Sequence, residues 1–315
     1  MKFFICLCLI FFTIYRCFWN LEQAPFEQWD EATNIGVLTE TISRKSIPVL
    51  MYQGKPFFEK PPLWYYMQLI SPFSPRSLSA AAGFLTILLT AYIAWKWWGT
   101  VAGVTAWIVL LSTNQLFLNN PAGYFSTHTF RSADVDSLFL LCFLLSFYIK
   151  RPAWKGVFAG LAVSTKGPLG LLPILFSPTA FGWAIVITIP WYLFMSVTFG
   201  WPFLSAHIGY HLAQRVFTPI EGHTNSPWYY VQLLTNRQVF FAWELLAGSI
   251  AWLMLKKRWK DARVRSVIAM TVLCFFLPAV ARTRLAWYII PLYPFAALVI
   301  AAAVGDFVKQ AQQKT

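Results

Sequence analysis

Asp30 and Glu31 are adjacent carboxylates directly after Trp29, and further along Lys60 stands in the run Gly54-Lys55-Pro56-Phe57-Phe58-Glu59-Lys60-Pro61-Pro62. Paired carboxylates either do acid–base work or cap a helix start, and at Asp30 both readings stand. Pro61 disfavours helix at Lys60 and Pro62 suits a first helical turn, so Glu59 and Lys60 lie just before a helix. A helix N-terminus beside a lysine is an anion site, and phosphate is the usual anion. The plain alternative is a snorkelling lysine. A third group, Arg131, Asp134 and Asp136, leads straight into an apolar stretch, where charges are costly unless paired or functional. A salt bridge within that group is the simple account, and a direct role is the other. His207, His211 and Arg215 recur at i, i+4 and i+8 and so share a helix face. Two histidines so spaced are able to bind zinc, but the glutamate of the HExxH pattern is missing, and Arg215 offers a fork suited to phosphate. Arg282 and Arg284 place two more cations at the start of the last apolar stretch.

The elements that must position these residues follow from composition. Of 315 residues, 58% are hydrophobic and 12% charged, which excludes a disordered chain and argues against a soluble domain. The net charge of +13 could suggest nucleic acid. So few charges between long apolar runs fit the inner loops of a membrane protein better, and no nucleic-acid partner is expected. The five cysteines form neither a ligand spacing nor a disulfide framework. A bilayer core takes about 20 apolar residues per helix. The first candidate runs from Phe3 to Trp19, and it reads as an uncleaved helix because no small-residue cleavage site follows. Further apolar runs lie at 78–95, 101–118, 135–149, 156–176, 179–199, 240–255, 266–281 and 285–304. Asp30, Glu31, Ala32, Ile35, Val37, Leu38 and Ile42 read as a helix lying in the interface.

Parity then sets a topology. With the N-terminus inside, the loops at about 20–75 and 119–134 lie outside, and Lys96 and the Lys150-Arg151…Lys155 cluster lie inside. The basic run from Lys256 to Arg265 also belongs inside, so the 200–239 loop must be outside. Between Lys155 and Gly200 the chain must therefore cross an odd number of times, although two apolar runs are visible. The reading that resolves this is a bent hairpin over 156–176, broken at Ser164-Thr165-Lys166-Gly167-Pro168. The whole is an all-α integral membrane bundle of about 9–10 membrane helices, one of them a bent hairpin, with interfacial helices in the first outer loop. Residues 1–305 form one polytopic domain, and 306–315 a short inner tail.

Taken together these segments resemble the GT-C type glycosyltransferases that use polyprenyl-phosphate-linked sugars, and within them the protein O-mannosyltransferase and aminoarabinose (lipid A) transferase superfamily. The resemblance is carried in order by Trp29-Asp30-Glu31, Phe58-Glu59-Lys60-Pro61-Pro62, Arg131…Asp136, Thr165-Lys166-Gly167-Pro168, Pro190-Trp191-Tyr192, Glu221-Gly222-His223…Pro227-Trp228-Tyr229-Tyr230 and Arg284-Leu285-Ala286-Trp287-Tyr288-Ile289-Ile290-Pro291. It implies inverting transfer of a sugar from a lipid monophosphate to a lipid, glycan or protein acceptor on the outer membrane face. Asp30 would be the base that deprotonates or orients the acceptor, with Glu31 beside it. Lys60 and Arg215 would hold the departing phosphate, assisted by Arg282 or Arg284. Glu59, His211 and His223 would shape the site or bind an occasional divalent cation, with no cofactor required. Arg131, Asp134, Asp136 and Lys166 would line it.

The chain also departs from that pattern. Ala32, Thr33 and Asn34 stand where many relatives place an arginine and a tyrosine, and the chain ends at Thr315 where many carry further helices and an outer domain. A different class remains as the alternative, a transporter, flippase or non-catalytic binding subunit for polyprenyl-linked sugars. No internal repeat is visible, and the acidic residues gather outside, which favours the enzyme. A bacterial inner membrane with an outward-facing site is the expected location. On this topology the inner side holds thirteen basic residues against Asp261 and Asp306, so most of the excess charge is an orientation signal.

Overall fold

The computed structural model describes residues 2–23, 25–27, 29–117, 128–219, 222 and 224–313. In chain order its main helices are α1 (Lys2–Phe18), α2 (Asp30–Arg44), α3 (Leu63–Ile70), α4 (Pro75–Trp98), α5 (Thr100–Leu111), α6 (Asp136–Tyr148), α7 (Pro152–Lys166) and α8 (Pro178–Phe199). They continue with α9 (Tyr229–Thr235), α10 (Trp243–Leu255), α11 (Ala262–Val280) and α12 (Leu292–Gln312). Among the described residues four stretches are helical, long and apolar enough to cross a membrane: Pro75–Trp98, Pro178–Phe199, Ala262–Val280 and Ala286–Gln312. Among the described residues, each apolar run read from the sequence overlaps a helix. The chain divides into two compact units. One comprises Met1–Trp19, Phe84–Phe125 and Asn225–Thr315, the other Asn20–Gly83 and Ser126–Thr224.

In the first unit α12 is buried almost all round from Leu292 to Ala303. Its alanines and Gly305 explain how neighbours come so close, since a Cβ on Gly305 would stand 3.1 Å from Trp98 Cβ. The helix runs on to Gln312. Asp306 there accepts from Trp252 Nε1 (3.0 Å) and pairs with Arg258 (2.7 Å).

The second unit holds most of the chemistry. α2 is amphipathic, burying Glu31, Asn34, Val37, Leu38 and Thr41. After it comes a small hairpin that was not expected, Met51–Tyr52 paired antiparallel with Lys55–Pro56. Gln53 and Gly54 both have positive φ, as a type I′ turn requires. The hairpin lies on α2, with the Met51 N–H donating to Thr41 Oγ1 (3.0 Å) and the Gly54 N–H to Glu40 Oε1 (2.9 Å). It returns the chain to Phe57 and delivers Lys60 to the start of α3, where Pro62 occupies the cap as the two prolines predicted.

The bent hairpin is also present. α6 and α7 run antiparallel, with Ser146 Oγ bonded to the Lys155 carbonyl (3.0 Å) and Lys166 at the far end of α7 reaching Asp136 at the start of α6. At Gly167 the chain breaks and returns along α7 as a 3₁₀ segment, Pro168–Ile174, in which Gly170 sits against Ala162 and Val163. α8 then runs parallel to α7, because Gly156 abuts Ala180 while Gly160 abuts Ala184 and Ile187. Two parallel helices adjacent in sequence require a return segment between them, which is what parity demanded. Gly167 has φ 107° and ψ −164°, a region open essentially to glycine. Gly167→Ala is expected to cost about 1–3 kcal/mol, seen as a lower unfolding temperature in detergent. An unchanged temperature would mean that the break tolerates a side chain.

Candidate functional site

Three carboxylates and three cations from distant parts of the sequence meet in the second unit. Asp30 opens α2, where the helix dipole favours negative charge. Its Oδ1 accepts from Lys60 Nζ at 2.7 Å and its Oδ2 from His128 Nε2 at 3.0 Å. Lys60 Nζ also lies 3.5 Å from Asp134 Oδ1 and 3.3 Å from Asn34 Oδ1. His128 Nδ1 lies 2.6 Å from Asp136 Oδ2 and 2.9 Å from Asp134 Oδ2. The nitrogen has one hydrogen for two acceptors. The shorter contact takes it, leaving Asp134 Oδ2 with charge attraction alone. Lys166 completes the group on the other oxygen of Asp136. Formal charge therefore balances: Asp30, Asp134 and Asp136 against Lys60, Lys166 and a protonated His128.

Local structure explains why these groups face one another. Gly83 on α4 leaves room for Phe130, whose Cγ would be 2.3 Å from any added Cβ, so the 128–134 turn seats tightly on the helix. Ser79 Oγ holds the Asp134 carbonyl at 2.9 Å, and Asn34 Nδ2 holds that of Ala133 at 2.9 Å. Asn34 Oδ1 further accepts from Tyr65 OH at 2.6 Å. The loop bearing Lys60 is pinned from the other side. His207 Nδ1–H donates to the Phe58 carbonyl at 2.6 Å, Tyr192 OH donates to His207 Nε2 at 3.2 Å, and Phe58 packs edge-on against Phe199 and Phe203.

Protonation follows from these contacts. Burial pushes the Asp30 carboxyl up, but Lys60 and His128 outweigh it and hold it far below the usual carboxylate range. Burial likewise opposes charge on Lys60, yet Asp134 and Asp30 carry its pKa above the ordinary lysine value. His128 is pulled down by burial and raised further by Asp134, Asp136 and Asp30, so both ring nitrogens carry hydrogen. His207 is lowered by burial, and His211 is pushed down to about 4 by burial first and then by the nearby positive charges of Arg215 and Lys60.

Each residue singled out in the sequence has a definite place. Asp30, Lys60, Asp134, Asp136 and Lys166 come together. Glu31, expected beside Asp30 in the chemistry, instead turns inward. Arg76 grips it through Nε (2.7 Å) and a second nitrogen (2.8 Å), and the backbone N–H groups of Ala133 and Glu27 complete its shell. It is a buried, saturated ion pair that ties α2 to α4 and to the 128–134 turn. Arg131 is half-buried, with its N–H on Thr129 Oγ1 (3.1 Å). Asp134 pairs with Lys60 and His128, and Asp136 with His128 and Lys166. Glu59 and His211 line one pocket of about 240 Å³ together with Tyr52, Pro56, Phe57, Phe58 and Ala206. His207 to Gln214 lie in a π-helical stretch, with half-buried Arg215 directly after it. Arg284 belongs to the other unit, where it donates to the carbonyls of Asn225 (2.6 Å) and Ala279 (3.3 Å); Arg282 there is exposed. His223 and Glu221 lie outside the described residues.

Two donor sets bear on a divalent cation. Asp30, His128 and Asp134 offer atoms within 4.8 Å of one another. In this arrangement the Lys60 ammonium lies against both carboxylates, so a cation bound there would have to displace it and the His128 proton. Glu59 and a neutral His211 face a common pocket and are suitable donor types, though fewer than the three or four a zinc ion takes.

Reading the sequence missed His128, Arg76, Tyr65 and the role of Asn34. Asn34 carried a signal, since it lies one turn beyond Asp30 on the same face of α2. A lone histidine in a loop and an arginine at a helix start carried none.

No family model matches the chain. Two curated proteins similar to it are undecaprenyl phosphate-alpha-4-amino-4-deoxy-L-arabinose arabinosyl transferases. That of Aeromonas salmonicida (strain A449) is 24% identical over 343 residues, covering 93% of this chain and 59% of the relative. That of Enterobacter sp. (strain 638) is 24% identical over 333 residues, covering 89% and 56%. Among solved structures, ArnT from Cupriavidus metallidurans bound to undecaprenyl phosphate superposes with a TM-score of 0.71 at 21% identity, over 95% of this chain and 59% of that one. Its apo state gives 0.74 at 19% identity, over 98% and 61%. The chain thus spans less than two thirds of the length of these proteins and shares their helical GT-C membrane fold, as the motifs had suggested. It is an integral membrane protein.

Proposed function

We propose that this chain is the membrane-embedded part of an inverting glycosyltransferase that takes a sugar from a polyprenyl-phosphate carrier. The observation that carries the reading is the Lys60 ammonium, shared between Asp30 and Asp134 at the start of α3. A lysine so held keeps its charge, and it is free to exchange a carboxylate for a phosphate. The relatives are named as transferases that use an undecaprenyl-phosphate sugar, and one structure of the same fold is described as bound to undecaprenyl phosphate. Both support the donor class.

In the free protein Asp30 is a very weak base, because its two oxygens face Lys60 and His128. A donor phosphate competes for Lys60. As the lysine turns to it, Asp30 loses one cation and gains proton affinity at the moment the donor is in place. Asp30 then orients or deprotonates the acceptor oxygen, which bonds to the anomeric carbon as the bond from that carbon to the phosphate oxygen breaks, with inversion. The electron pair of the broken bond stays on the phosphate, whose added negative charge Lys60 and Arg215 stabilise. The acceptor's proton, where it has one, passes to Asp30. Glu59 and His211 would hold a divalent cation if one binds, lending positive charge beside the phosphate.

Reconstitution in vesicles with an undecaprenyl-phosphate-linked sugar and envelope lipid extracts tests the reading. The expected result is loss of sugar from the carrier and its appearance on an acceptor with the opposite anomeric configuration. Movement of intact lipid-linked sugar across the bilayer, without transfer, would favour a transporter instead. We place the site on the outer face of a bacterial inner membrane. In a background lacking the five native cysteines, a cysteine at Asn225 should react with an impermeant reagent on intact spheroplasts. Reaction only after lysis would reverse the orientation.

A further inference from the structure

His128 is 4% exposed, and its ring touches a carboxylate from α2, one from the turn it belongs to and one from α6. Burying an imidazolium is costly, and the molecule spends two fully buried aspartates to hold it. The His128 imidazolium is not needed simply to neutralise Asp30, because Lys60 already does so at 2.7 Å. The arrangement has a direction as well. From the break at Gly167 the contacts run Lys166 to Asp136, Asp136 to His128 Nδ1, and His128 Nε2 to Asp30 Oδ2. This line leaves Oδ1 of Asp30, the oxygen on Lys60, as the one that changes partner when a donor arrives.

We infer that His128 is a positioning residue for transfer: braced by Asp136 and the hairpin-tip Lys166, it holds one oxygen of Asp30 so that the other stays aimed at the acceptor once Lys60 leaves. The inference rests on the reading of Asp30 as the reacting carboxylate. It assigns a purpose to the Lys166-Gly167-Pro168 break, which sets Lys166 beside Asp136. Among the described residues, the charged groups around the ring include Asp30 from α2, Lys60 before α3, Asp134 from the turn, Asp136 from α6 and Lys166 from α7.

The test compares wild type, His128→Asn and the double variant His128→Asn/Asp136→Asn in vesicles with an undecaprenyl-phosphate-linked sugar. The single variant leaves a buried carboxylate uncompensated, whereas the double variant restores charge balance and keeps the fold measurable. In both, kcat is expected to fall about a hundred-fold, the cost of a misplaced reacting group, with KM for the donor within about three-fold. The acid limb of kcat/KM should move towards neutral pH, since removing a cation raises the Asp30 pKa. A second readout needs no turnover: the infrared carboxylate band that disappears in Asp30→Asn should persist to lower pH in wild type than in the double variant. A folded double variant with wild-type kcat and an unmoved acid limb overturns the role of His128. If wild type itself transfers nothing, the functional reading fails, and the infrared comparison alone then decides whether His128 governs Asp30.

Discussion

Replacing Asp30 with asparagine is expected to lower transfer by about a thousand-fold, within the range of 10²–10⁴ that a positioned acid–base group supplies. The substitution is nearly isosteric and keeps an oxygen for Lys60 while removing the charge. Lys60 retains Asp134 at 3.5 Å, so its ammonium stays compensated and the fold should survive. Binding of undecaprenyl phosphate should be unchanged or tighter, because Lys60 no longer has to leave a carboxylate. The measurement is single-turnover transfer alongside equilibrium binding of the carrier lipid. Transfer at the wild-type rate would remove Asp30 from the chemistry, and loss of lipid binding would make its role structural.

The second large effect concerns stability. Arg76 and Glu31 are both almost wholly buried, and the guanidinium also donates to the carbonyls of Leu21 (3.0 Å) and Pro25 (2.9 Å). Arg76→Met strands an uncompensated carboxylate together with those carbonyls, and breaking a buried pair from one side costs about 3–5 kcal/mol. The double variant Glu31→Gln/Arg76→Met has no stranded charge and is expected to recover more than half of that loss. Thermal unfolding in detergent compares the two. A loss below about 1 kcal/mol in the single variant, the scale of an exposed pair, would contradict burial of the pair. Asp30→Asn should lower the unfolding temperature less than Arg76→Met, because the Asp30 side chain is 20% exposed and Lys60 and His128 keep Asp134. That difference separates two neighbouring carboxylates by what they do.

Several features were legible because they depend on residues close in sequence. Pro61-Pro62 marked the start of α3, and the Lys-Gly-Pro break marked the end of α7. Parity of basic loops required a return segment, and the parallel run of α7 and α8 contains one. The same reading singled out Lys60 before a helix start and Asp134 and Asp136 beside an apolar helix, where charges demand a reason, and these three side chains come together. It could not say which cation meets which carboxylate. It weighed an Arg131 salt bridge against a direct role, and it did not see that His128, Lys60 and Lys166 meet the aspartates. It offered Arg282 or Arg284 as helpers at the phosphate, and could not show that Arg284 donates to the carbonyls of Asn225 and Ala279.

By itself the sequence determined the membrane class, the helices and the residues worth watching, because apolar length, prolines and charge bias act through the local chain and the bilayer. Tertiary structure alone decided roles. Asp30 and Glu31 are adjacent, yet successive residues on a helix point about 100° apart, at 3.6 residues per turn. One therefore faces Lys60 and His128, and the other a buried arginine. Spacing along the chain does not reveal that difference, because it depends on what packs against each side of α2.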